Sequence, residues 1–158
     1  MRTRRRGLPA AIVLCVCVGG VSAVEGAVYV GGTVSSDTVW SNVAEPYVVT
    51  STVRVSLDAT LTIQPGVEVR FEPGVGLTVQ DGTLVARGTA EDAIRFTSTV
   101  ADPQTPFDRW SQIKFDNYAE DAVVDETGQY VSGSILSHAI VENAGYSGTS
   151  SVEMKQAS

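Results

Sequence analysis

The 158-residue sequence predicts an all-β protein whose short strands stack in parallel as a solenoid. Three observations lead there. No stretch keeps a helical period. Val, Thr and Ile are abundant, apolar residues alternate with polar ones, and Gly or Pro interrupts every few residues, which is the pattern of strands and turns. The chain also repeats itself, and an internal repeat takes precedence over the sandwich that such composition would otherwise suggest.

The repeat is visible in the residues. Leu61-Thr62-Ile63-Gln64-Pro65-Gly66 recurs as Leu77-Thr78-Val79-Gln80-Asp81-Gly82, and strand-like matches follow at Ile94-Arg95-Phe96, Ile113-Lys114-Phe115 and Ala139-Ile140-Val141. A second strand moves in step, from Val53 and Val55 to Val69 and Phe71, and from Val67 and Val69 to Leu84 and Ala86. Gly66 and Gly82 mark the corners, where the lack of a Cβ permits a sharp turn. The expected inward stacks are Leu61, Leu77, Ile94 and Ile113, with Ile63, Val79, Phe96 and Phe115 beside them, each neighbour about 4.8 Å away. Length variation is expected in two surface excursions, Thr99 to Arg109 and Asp116 to Gly133. Ser98, Asn117 and Asn143 each follow a strand triplet by the same step and are expected to form a polar ladder at one corner. Pro65, Pro73, Pro103 and Pro106 fall at corners or in loops, where no ladder donor is lost.

At this point the sequence resembles a known family. Leu61 to Val67, Gly76 to Val79, Gly82 to Thr89, Ile94 to Ser98 and Trp110-x-x-Ile113 are similar to the amino-terminal region of bacterial right-handed parallel β-helix repeat proteins with a pectin-lyase-like architecture. The resemblance covers roughly Gly31 to Gly145. It implies a right-handed parallel β-helix of about five rungs, with a lead-in over 24–49, rungs over 50–146, and an unfinished rung or tail over 147–158. More turns and a cap are expected after such a region, so the reading frame reads as truncated. The alternative is that Val152 to Ala157 folds into a small cap. Function does not follow from the resemblance, because this architecture hosts lyases, hydrolases, adhesins and phage spikes.

The amino terminus reads as a secretory signal over 1–23. Arg2, Arg4, Arg5 and Arg6 precede an apolar run from Leu8 to Val18 and the small-residue site Val21-Ser22-Ala23. That run falls short of the roughly 20 residues a spanning helix needs. Cleavage is expected after Ala23, with Ala27 as the alternative. Thr3 to Leu8 partly matches a twin-arginine signal, but Gly7 stands where the aromatic belongs. Cys15 and Cys17 follow Leu14 and Val16 rather than small residues, so they leave with the signal and not with a lipid. Export places the mature chain in the periplasm, on the cell surface or outside the cell. It would hold no cysteine, and so neither disulfides nor thiol chemistry. Removing four of the 11 basic residues leaves seven against 18 acidic ones, a net charge of −11 in place of −7. Nucleic acid and anionic lipid are poor partners for such a surface.

No catalytic, cofactor or metal residues assemble in the sequence. His138, the single histidine, lies near Ser134 and Ser137. Alternation along one strand would point Ser134 and His138 the same way, but that is strand geometry, and no nucleophile elbow accompanies it. Asp116, Glu120, Asp121, Asp125 and Glu126 lack the spacing of a calcium loop and read as a solvated acidic segment. Arg70, Arg87 and Arg95 read as outward positions. Trp110 can stack on a sugar ring, yet covering the core edge beside Ile113 explains it as well. Two functions are therefore expected to compete. One is an exported, non-catalytic surface or scaffold module whose loops contact glycans or other surface components, with edge-to-edge self-association at unpaired strands. The other is the amino-terminal part of a secreted polysaccharide-degrading enzyme whose catalytic residues lie on later rungs.

Overall fold

The computed structural model describes residues 26–155. The signal-peptide expectation over 1–23 and the cleavage site at Ala23 lie outside them. The strands are β1 (Val28–Val34), β2 (Thr38–Trp40), β3 (Tyr47–Val55), β4 (Thr60–Ile63), β5 (Glu68–Phe71), β6 (Leu77–Val79), β7 (Thr83–Arg87), β8 (Ile94–Ser98), β9 (Ile113–Phe115), β10 (Val123–Val124), β11 (Tyr130–Ser132), β12 (Ile135–Ser137), β13 (Ala139–Val141) and β14 (Val152–Met154). Two 3₁₀ turns occur, Pro106–Asp108 and Tyr146–Gly148, and the described residues contain no α-helix. The protein is all-β, and its sheets are parallel apart from the β10–β11 hairpin.

The parallel pairings fall into three rows. Row A joins the first part of β1 and of β3 with β5, β8 and β13. Row B joins the later parts of β1 and β3 with β6, β9 and β14. Row C is β2, β4, β7 and β12. The chain visits A, B and C in the same order each time. One residue in two points inward along each strand, so each row contributes its own apolar stacks. In row A, Val49 lies on Phe71, and Tyr47, Val69, Phe96 and Val141 form a second line. Row B stacks Val53, Leu77 and Ile113, with Val55, Val79 and Phe115 beside them. Row C stacks Leu61 on Leu84 and Trp40, Ile63, Ala86 and Leu136. These lines meet in one core, in which Val49, Leu61, Phe71, Leu77, Leu84, Ile94, Phe96 and Ile113 are fully buried. Each contributes on the order of 1.5–3 kcal/mol by leaving water.

The expected register needs correction. Leu61 does not lie beside Leu77, nor Leu77 beside Ile94. Leu61 pairs with Leu84, Leu77 with Val53 and Ile113, and Ile94 with Ala139. Likewise Val53 and Val55 lead to Leu77 and Val79, not to Val69 and Phe71. The strands at 61, 77, 94, 113 and 139 belong to rows C, B, A, B and A, so they are not five successive rungs. The cause is degeneracy: every inward position takes the same aliphatic residues, so a match between rows looks like a match within one. Leu77 and Ile113, and Val79 and Phe115, expected two places apart in their stacks, are instead direct neighbours.

The lead-in segment is itself paired, since β1 lies along β3 and β2 along β4. Trp40 stacks on Tyr47, with centroids 5.0 Å apart. At the other end, Val152–Met154 extends row B in register with β9 rather than trailing off unpaired. The polar ladder is also corrected. Ser98 and Asn143 follow row A strands, and Asn143 Nδ2 donates to Thr97 Oγ1 at 3.4 Å, whereas Asn117 follows row B. Two glycines show why the corners are tight. Gly66 has φ +77°, and a Cβ on Gly82 would stand 2.6 Å from the Ala59 carbonyl oxygen.

Candidate functional site

The corner between rows B and C carries an open groove that bears polar and aromatic groups. Three successive corners build it: Ser56-Leu57, Gln80-Asp81 and Asp116-Asn117-Tyr118, with Lys155 completing the rim around about 540 Å³. The middle corner ties down the first. Asp81 Oδ1 accepts from Leu57 N–H at 3.0 Å, the Asp81 carbonyl accepts from Asp58 N–H at 3.0 Å, and Ser56 Oγ donates to Gln80 Oε1 at 3.0 Å. These bonds hold Leu57 and Asp58 in consecutive left-handed conformations, φ +61° and +57°. That conformation costs a residue with a Cβ roughly 1–2 kcal/mol. The strained backbone pushes the Leu57 side chain outward, 69% exposed, and Tyr118 stands 80% exposed two corners away. Two apolar groups thus flank a polar floor. At the lower rim Lys114 Nζ lies 2.9 Å from Asp116 Oδ1, and Lys155 Nζ lies 4.0 Å from Asp116 and from Glu153. The hydrogen bond from Lys114 to Asp116 raises the lysine above its ordinary pKa.

The other sequence candidates disperse. Ser134 and His138 do not share a strand, which corrects the alternation argument. Row C strand β12 ends at Ser137, row A strand β13 begins at Ala139, and His138 alone makes the corner with φ +46°. Ser134 Oγ accepts from Leu84 N–H at 3.2 Å. Trp110 is not an edge cover but a fully buried core residue. It stacks on Phe71 at 4.3 Å, and its Nε1–H donates to the Glu142 carbonyl at 2.7 Å. No sugar can reach its ring face in this packing.

Among the arginines, Arg70 pairs with Glu68 at 2.7 Å, Arg95 with Glu142 at 2.6 Å, and Arg87 lies over the Tyr130 ring at 4.9 Å. The acidic excursion splits in the same way. Asp116 faces lysines, while Asp125 accepts from Thr127 Oγ1, Thr127 N–H and Gln129 N–H at 2.7–2.9 Å. These hydrogen bonds, that of the Thr127 side chain first, lower the Asp125 pKa. Among the described residues no group of three or more His, Cys, Asp and Glu side chains is placed to hold a metal ion, and no helix is long and apolar enough to cross a membrane.

Sequence reasoning missed the Leu57–Tyr118 groove because it forms from corners far apart in the chain. The one local signal was Leu57-Asp58, an apolar residue in a two-residue turn where glycine or asparagine is usual.

No family model matches the chain, and no solved structure does. One similar protein is Protein bark beetle of Drosophila melanogaster, 44% identical over 66 residues. That match covers 42% of this chain and 2% of the fly protein, so the chain corresponds to a small part of its relative.

Proposed function

We propose that the protein is an exported right-handed parallel β-helix module, and that it acts as a non-catalytic surface or scaffold element whose loops make adhesive or glycan contacts. One observation carries the reading. Parallel registers return the chain to rows A, B and C in constant order, while nearly all length variation is gathered in residues 99–112 and 116–134. A rigid ladder with its variation in a few loops is the arrangement by which binding surfaces are presented on repeat scaffolds. Two of the arginines on these rungs are paired with carboxylates along row A, Arg70 with Glu68 and Arg95 with Glu142.

One experiment separates this reading from an enzymatic one. The exported protein is passed over immobilised cell-surface polysaccharide, and the same sample is assayed for new reducing ends. Retention without new ends is expected, from material whose first residue is Val24. Release of reducing ends would establish a degrading enzyme. Exported material that keeps Arg2 to Arg6 would remove the basis for a cleaved signal.

A further inference from the structure

We propose, resting on that reading, that the row B–row C corner groove binds an uncharged glycan chain, with Leu57 and Tyr118 as its two apolar contacts. The dimensions suit a chain rather than a single small molecule. Leu57, Asp81 and Tyr118 come from three successive corners, so the apolar groups are separated by two strand spacings, on the order of 10 Å.

The chemistry selects a sugar over a peptide. A peptide that adds to an edge needs unpaired backbone groups. Here four corner N–H groups are taken, Leu57 by Asp81 Oδ1, Asp58 by the Asp81 carbonyl, Gln80 by Val55 and Asp116 by Val79, so the corners offer no continuous edge. What remains outward is a phenol ring, an isobutyl group, and the side chains of Gln80, Asn117 and Lys155. A pyranose offers the complement, a C–H face for the ring and hydroxyls for the amides.

Charge then excludes acidic glycans. Asp81 and Asp116 line the groove, and both lysines at its rim already face carboxylates, Lys114 that of Asp116 and Lys155 those of Asp116 and Glu153. A uronate carboxylate would meet an excess of negative charge, on a protein whose net charge is −7.

The test is titration of the protein with cellohexaose, mannohexaose and galactohexaose, and with hexagalacturonate as the acidic control, followed by calorimetry. At least one neutral oligomer is expected to bind, and hexagalacturonate at least tenfold more weakly. Tyr118→Ala should weaken the neutral binding about tenfold, the scale of one lost ring contact. Leu57→Gly should weaken it too while leaving the melting temperature equal or higher, because glycine accepts the left-handed backbone. That pair of effects excludes misfolding as the cause. Binding of none of the neutral oligomers, or equal binding by both variants, or preference for hexagalacturonate, would overturn the proposal. Retention of both variants on the surface polysaccharide would leave the module reading standing and remove only this groove from it. New reducing ends in the wild-type sample would remove the module reading itself.

Discussion

The two excursions leave the ladder at different corners and are held by different forces. Residues 99–112 leave row A and return with their last turn inside the core. Pro106–Asp108 is a 3₁₀ turn closed by a capping box, with Thr105 Oγ1 accepting from Phe107 N–H and Asp108 Oδ2 accepting from Thr105 N–H. Two residues later Trp110 is fully buried on Phe71 and bonded to the Glu142 carbonyl. Residues 116–134 leave row B and return without burying a large side chain. Their hairpin exposes Val123, Val124 and Val131, and the excursion is tied to the ladder by Glu120 N–H donating to the Gly82 carbonyl at 3.1 Å, by Ser134 Oγ accepting from Leu84 N–H at 3.2 Å, and by Tyr130 lying under Arg87. The first insertion has become part of the fold, while the second stays attached at the surface. Loops that must adjust to a partner are drawn from the second kind.

The largest test of that contrast is Trp110→Ala. It should cost on the order of 3–5 kcal/mol, because it empties a fully buried site and removes the closer of the two rings stacked on Phe71. The loss should appear in a thermal or urea melt of the whole protein. A change below about 1 kcal/mol would mean that the first excursion is no better anchored than the second.

This contrast was only partly legible in the sequence. The all-β character, the corner glycine at 66 and the positions of both excursions can be read from alternation and punctuation, which are local properties. The row assignment cannot. Leu61, Leu77 and Leu84 are equivalent as residues, and only the length of a full circuit decides that Leu61 meets Leu84. Trp110 shows the same limit. An aromatic next to a long loop fits a sugar platform and a core plug equally well until the position of Phe71 is known. The Leu57–Tyr118 groove is less legible still, since three corners supply it and their alignment is a product of the register.

Arg87→Ala should act on the hairpin alone. A cation–π contact at an exposed site is worth about 0.5–1 kcal/mol, so the global melt should barely move. Limited proteolysis within residues 122–133 should accelerate instead, together with amide exchange in β10 and β11. If the melt shifts as far as for Trp110→Ala, the hairpin is an integral part of the ladder and the contrast between the two excursions disappears.

The smallest effect concerns the hairpin's own turn, and pH reveals it. Asp125 accepts three hydrogen bonds from Thr127 and Gln129, which lower its pKa below the ordinary 3.8. A carboxyl whose folded pKa is lowered contributes order that is fully present above the unfolded pKa. That order is lost as pH falls through the folded value. The turn should therefore stay formed down to about pH 3.8 and open only below it. Asp125 is fully exposed, so the change should be confined to residues 125–129 and not reach the core. Amide chemical shifts of Thr127 and Gln129, followed from pH 6 to pH 2 (with Asp125→Asn as the non-titrating control), would show it. Row C reporters such as Leu84 and Ala86 should keep their shifts across the same range. If they move together with Gln129, the second excursion is coupled to the ladder through its turn as well as through its base.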